Sequence, residues 1–139
     1  MSDYIDPMRE QFAAMMKMAD DGPIHMLNLI RLNESAKYED GRKATGAEAY
    51  RTYGKESGPI FARVGGEIIW SGQPKLMLIG PEDVRWDIAF IAAYPSTAAF
   101  GEMIKDEAYQ KVVHHRQAAV KDSRLIRMAP QKMGAEFGQ

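Results

Sequence analysis

Cysteine is absent from the 139 residues. With it go disulfides, thiolate nucleophiles, iron–sulfur clusters and cysteine-bound zinc. Neither sign of charge is in excess: 18 Lys+Arg stand against 19 Asp+Glu, a formal net charge of -1. No electrostatic pull toward nucleic acid or an anionic membrane is therefore expected. Long hydrophobic runs are missing too. The longest, about Ile88 to Tyr94, falls far short of the ~20 residues that cross a bilayer. The start, Met1-Ser2-Asp3-Tyr4-Ile5-Asp6, is acidic, whereas a signal peptide opens basic and then apolar, so cytoplasm is the expected compartment. Histidines number three, with no H-E-x-x-H spacing and no acidic cluster beside them, and no metal site is expected. G-x-S-x-G, Walker and Rossmann glycine patterns are absent, and no cofactor is expected.

What is present suits one globular domain: 45% hydrophobic and 27% charged residues in 15.6 kDa. Residues 1–22 read as an N-terminal helical extension. Asp6 is its expected cap, Pro7 takes the first helical position, and Met8, Phe12, Met15, Met16 and Ala19 make a stripe that Gly22-Pro23 ends. Ile24 to Arg31 reads as a strand buried on both faces. Leu32 to Thr45 is a long polar excursion, a length typical of lids and binding loops. Ala47 to Val64 reads as a helix that Gly58-Pro59 either breaks or deprives of one hydrogen bond. Its inner face is Ala47, Tyr50, Gly54, Ser57, Phe61 and Val64. Glu67 to Ile79 reads as one strand interrupted at Ser71-Gly72-Gln73-Pro74, followed by a strand from Trp86 to Tyr94. Ser96 and Asp106 cap two further helices, the second running to about Lys121. Leu125 to Met128 closes the core as a short strand, and 129–139 form a tail that can reach over a partner.

After the first helix the order is strand, helix, strand, strand, helix, strand. Over residues 24–128 this predicts an α+β, ferredoxin-like split βαβ arrangement with an antiparallel sheet. Both helices of that arrangement lie on one sheet face. The strands are apolar on both sides, so the other face needs a cover. A second copy packed sheet to sheet, forming a dimeric α+β barrel, is the expected cover.

Several polar residues fall where apolar ones are expected. Arg116 lies near the centre of the stripe Tyr109, Val112, Val113, Ala119 and Val120. A guanidinium there needs an acceptor, from a structural ion pair or from a ligand. His115 sits at the margin of the stripe and His114 points away. Asn28 interrupts an apolar strand and needs hydrogen-bond partners, structural or in a cavity. Tyr50 and Tyr53 lie inward on their helix, and Trp70 stands beside the strand irregularity. The tyrosines and Trp70 can serve as core or as ligand contacts.

Met26-Leu27-Asn28-Leu29, Gly46-x-x-Ala49-Tyr50-x-x-Tyr53, Gly65-Gly66, Trp70-x-Gly72, Trp86-Asp87, Tyr94-Pro95-Ser96 with Phe100, and Tyr109 with His115-Arg116-x-Ala118-Ala119 occur in order over residues 24–128. In this the chain resembles the domain-of-unknown-function family 1330, of the dimeric α+β barrel superfamily. The resemblance implies the fold and a homodimer. The superfamily includes cofactor-free monooxygenases, haem-degrading enzymes, stress-response proteins and ligand-binding domains, so it does not choose an activity. Some of those monooxygenases set an Asn, a Trp and a His, Tyr or Arg around one pocket, and Asn28, Trp70, Tyr53 and Arg116 match that set by type.

Three functions stay open. The first is a small-molecule-binding protein or cofactor-free, monooxygenase-like enzyme with a pocket between sheet and helices. Its ligand-binding candidates are Asn28, Tyr50, Tyr53, Trp70, His115 and Arg116, and its catalytic candidates are Asn28 and Arg116. The second is a non-catalytic dimer that binds a metabolite or serves a stress response. The third is haem binding or degradation through His115.

Overall fold

The computed structural model describes residues 4–19, 22–132, 134, 136 and 137. Along them run α1 (Arg9–Met16), β1 (Ile24–Leu32), α2 (Gly46–Arg63), β2 (Glu67–Gly72), β3 (Ile88–Tyr94), α3 (Thr97–Lys105), α4 (Glu107–Ala119) and β4 (Val120–Met128). Of the expected first helix and tail, residues 1–3, 20, 21, 133, 135, 138 and 139 lie outside the described set.

Side-chain caps set several of these ends. Ser96 Oγ accepts from the Ala99 N–H at 3.0 Å, and Asp106 Oδ1 accepts from the Ala108 and Tyr109 N–H groups. Arg63 from the end of α2 pairs with the same Asp106 carboxylate. That pairing and the N–H bonds hold the acid below the usual carboxylate range. Thr45 and Glu48 form a reciprocal capping box, so α2 starts at Gly46. Pro59 lies inside α2 without ending it.

Three expectations fail at element ends. Asp6 does not cap α1. Its carboxylate accepts from Gln117 Nε2 at 3.2 Å instead, and the helix starts at Arg9 with no side-chain cap. The second half of the expected long strand is not a strand: β2 stops at Gly72, and Leu76, Leu78 and Ile79 are 82%, 84% and 91% exposed. Pro74 supplies no N–H for a ladder there. β4 is longer than expected, beginning at Val120 directly after α4.

The sheet order is β2-β3-β1-β4, with every neighbouring pair antiparallel. This is the ferredoxin-like α+β fold. Register sorts the faces. Met26 pairs with Ala92 and Arg127, and Asn28 with Phe90 and Leu125, on the side the helices cover. Leu27 pairs with Ile91 and Ile126 on the other side. The shift between Ile68 and Trp70 puts Trp70 opposite Ile91, on that second, helix-free face.

The core divides in two. A larger cluster holds Ile24, Met26, Ile60, Val64, Ala92, Tyr94, Phe100, Met103 and Tyr109, with Phe12 and Met15 of α1 packed on it. A smaller one holds Ile30, Ala49, Ala119 and Val120. Ala49 and Ile60, not the expected Ala47, are buried on α2, and Ala47 is exposed. No helix among the described residues is long and apolar enough to cross a membrane.

Candidate functional site

Between the sheet and the helices lies a cavity of about 1420 Å³. Its floor is the helix-facing side of the sheet. Its walls come from α2, α3, α4 and the segment leading into α1. Four of the expected residues meet there: Asn28 on β1, Tyr50 and Tyr53 on α2, and Arg116 on α4. The Asn28 amide donates to the Met26 carbonyl at 3.1 Å. Its other end has no protein partner among the described residues.

Tyrosines dominate the polar lining. The Tyr50 and Tyr53 rings lie 5.5 Å apart, and the Tyr53 hydroxyl shares a 2.8 Å hydrogen bond with that of Tyr109. Burial, aided by the neighbouring Tyr53, pushes the Tyr50 and Tyr109 phenols above their ordinary range. They are neutral hydroxyls near neutral pH, suited to donate hydrogen bonds rather than to act as bases.

Arg116 finds neutral acceptors rather than a carboxylate. One terminal nitrogen donates to the Ile5 carbonyl and the other to Ser123 Oγ at 3.4 Å. Ser123 Oγ in turn donates to the Tyr4 carbonyl at 2.7 Å. Arg116 thus fastens the N-terminal segment across one end of the cavity.

Two expected members stand elsewhere. Trp70 is 51% exposed on the helix-free face, because the bulge in β2 reverses its side. His115 is buried behind α4, away from the cavity lining. Tyr38 Oη lies 2.6 Å from its Nδ1, and Glu56 Oε1 lies 3.4 Å from its Nε2. His114 is exposed, pointing away from the stripe as expected, and its ring lies 4.0 Å from that of His115. Arg42 lies over the Tyr38 ring and chelates Asp40. Burial, then the nearby His114, lowers the His115 pKa from its ordinary value. Both ring nitrogens of His115 thus face protein groups, and the side chain is not part of the cavity lining. Among the described residues no three His, Asp or Glu side chains gather to hold a metal.

Tyr109, expected only in packing, also lines the cavity, and Arg127 is a lining residue outside the expected set. Arg127 lines the cavity from β4. Its signal was strand parity, since Ser123, Leu125 and Arg127 alternate on one face. A strand begun only at Leu125 does not reveal that pattern.

The family model described as a domain of unknown function, DUF1330, matches residues 33–129. The chain belongs to the DUF1330 family. β1 and Asn28 precede the matched span. Two solved structures of RPA0582 extend the likeness to nearly the whole chain. The methylated protein is 58% identical with a TM-score of 0.93, covering 96% of this chain and 99% of its own. The second, described as a protein of unknown function from Rhodopseudomonas palustris, is 57% identical with a TM-score of 0.91, covering 95% and 100%. SnoaB, a cofactor-independent oxygenase from Streptomyces nogalater, is 15% identical with a TM-score of 0.52, covering 85% of this chain and 100% of its own. At that identity it shares the fold. A search of curated proteins found no significant match.

Proposed function

We propose that this DUF1330 protein binds a small conjugated organic molecule in the cavity between sheet and helices. The observation that carries the reading is the convergence of Asn28, Tyr50, Tyr53 and Arg116, from three separate elements, on one space large enough for a multi-ring ligand. Aromatic walls supply stacking area. Asn28 and the neutral tyrosine hydroxyls supply hydrogen bonds to carbonyl or hydroxyl oxygens.

Binding is favoured over acid–base chemistry by the lining. Asp87, one of its carboxylates, accepts the Leu32 N–H at 2.8 Å, and Asp6, the other, takes Gln117. No imidazole lines the cavity among the described residues. Cofactor-free oxygenation of a quinol-like substrate is the second reading, with Asn28 and Arg116 stabilising developing charge on oxygen. Oxygen uptake with candidate quinols separates the two, and consumption dependent on Asn28 selects the enzyme.

The active unit is a homodimer. The helix-free face presents Leu27, Ile91, Ile126 and Trp70, the last two largely exposed, and a second copy covers it. Native mass spectrometry on gently purified protein tests both statements. A dimer with a stoichiometric extra mass is expected. An empty monomer at micromolar concentration overturns the dimer and weighs against a resident ligand.

A further inference from the structure

Three guanidinium groups line the cavity, and they are compensated unequally. Arg124 pairs with Asp122 at 2.8 Å and lies over the rings of Tyr4 and Trp86. Arg116 has the Ile5 carbonyl and Ser123. Arg127 has one hydrogen bond, from Nη2 to Thr97 Oγ1 at 3.2 Å, and its Nε is buried with no partner. It pairs with no carboxylate among the described residues. Arg31 Nε is also buried without a partner. That side chain lies outside the cavity lining and donates to the Asp83 carbonyl.

A half-buried guanidinium with one neutral acceptor is a cost the fold does not recover by itself. A ligand anion removes that cost. Register fixes where it would sit. Arg127 is opposite Met26, one pair along from Asn28 and Leu125. Four residues of strand, about 13 Å, separate it from the Ser123 that Arg116 holds. The two arginines therefore serve opposite ends of the cavity. No lysine lines it among the described residues, so the Arg127 end offers one unpaired positive charge. That suits a monoanion, and a planar carboxylate matches the guanidinium fork.

We propose that Arg127 binds the anionic end of the cavity's ligand, and that this ligand is an aromatic carboxylate whose ring system lies among the cavity's aromatic side chains. The inference rests on the ligand-binding reading above and adds the charge and class of the ligand.

Titration calorimetry with 2-naphthoate and its neutral isostere 2-naphthamide tests it. The wild-type protein is expected to bind the acid at least about tenfold more tightly than the amide, the worth of one charged hydrogen-bonded contact. Arg127→Gln abolishes that preference while keeping amide binding. Arg127→Lys retains part of it, since charge persists without the fork. Arg124→Gln leaves it in place, since Asp122 already offsets that charge. A preference that survives Arg127→Gln, or that disappears with Arg124→Gln instead, overturns the assignment. Equal binding of both probes to the wild type overturns this inference alone, and binding of neither overturns the ligand-binding reading with it. Thermal melts verify folding of each variant. Should Arg127→Gln not fold, the wild-type preference and the Lys variant decide.

Discussion

The two ends of the helix–sheet interface are built oppositely. At one end Ile30, Ala119 and Val120 are almost wholly buried, and Gly46 lies so close to the Asn33 carbonyl that a Cβ there would sit 1.9 Å from it. The Tyr38–His115–Glu56 chain fastens the long 32–45 loop over this end. At the other end aromatic side chains surround a space they do not fill. His115 and Arg116 are consecutive on α4, yet one belongs to the closed end and the other to the cavity, because successive residues on a helix diverge by about 100°. Tight packing is concentrated away from the cavity, and the other end is left unfilled.

The largest expected effect falls on the closed end. Gly46→Ala drives a methyl group into backbone that cannot swing aside, at about 3 kcal/mol, the upper range for overpacking. Urea denaturation reads it directly, and a loss below ~1 kcal/mol would show that the Asn33 turn yields. His115→Ala, which strands Tyr38 Oη and opens a void, is expected to cost about 2 kcal/mol. Tyr38→Phe, losing one hydrogen bond, costs about 1 kcal/mol. At the open end Arg116→Met changes stability by under about 1 kcal/mol, because its partners are neutral and partly hydrated, while weakening ligand binding. Unfolding of Arg116→Met would reassign that side chain to the framework.

The same contrast extends to pH. His115 has its pKa lowered in the folded state, so between that value and the ordinary histidine value the unfolded chain binds more protons. Its contribution is complete above about pH 6.5 and is lost as pH falls through the lowered value. His114, Glu56, Arg42 and Tyr38 face it, and His115→Gln should flatten this limb of the stability profile. Ligand affinity at the open end, where no histidine among the described residues lines the cavity, is expected to stay level over the same range.

Local chemistry made much of this fold legible. Ser96 and Asp106 advertise their caps, and the order of elements yields the ferredoxin-like topology. Asn28, Tyr50, Tyr53 and Arg116 were found because each is a polar break in an apolar pattern. Where pattern depends on distant pairing, reading failed. Leu76–Ile79 has the composition of a strand, but no strand among the described residues pairs with it. Trp70 changes face because one bulged residue shifts parity. His115 is drawn from the stripe by Tyr38, 77 positions away, and no local signal reveals that partner. Arg127 gave no sign until β4 was seen to start at Val120.

The strand order also governs how the chain is made. β1 is apolar on both faces, and its two sheet neighbours are β3 and β4. As the chain leaves the ribosome, β1 has nothing to pair with until Ile88–Tyr94 follows, and it gains its second neighbour only with Val120–Met128. His25 must close on Met128 across nearly the full core. Such long closures make folding slow and leave the nascent strand exposed to aggregation. Sheet formation therefore waits on synthesis, and β1 lacks its second neighbour until the last strand of the chain has emerged.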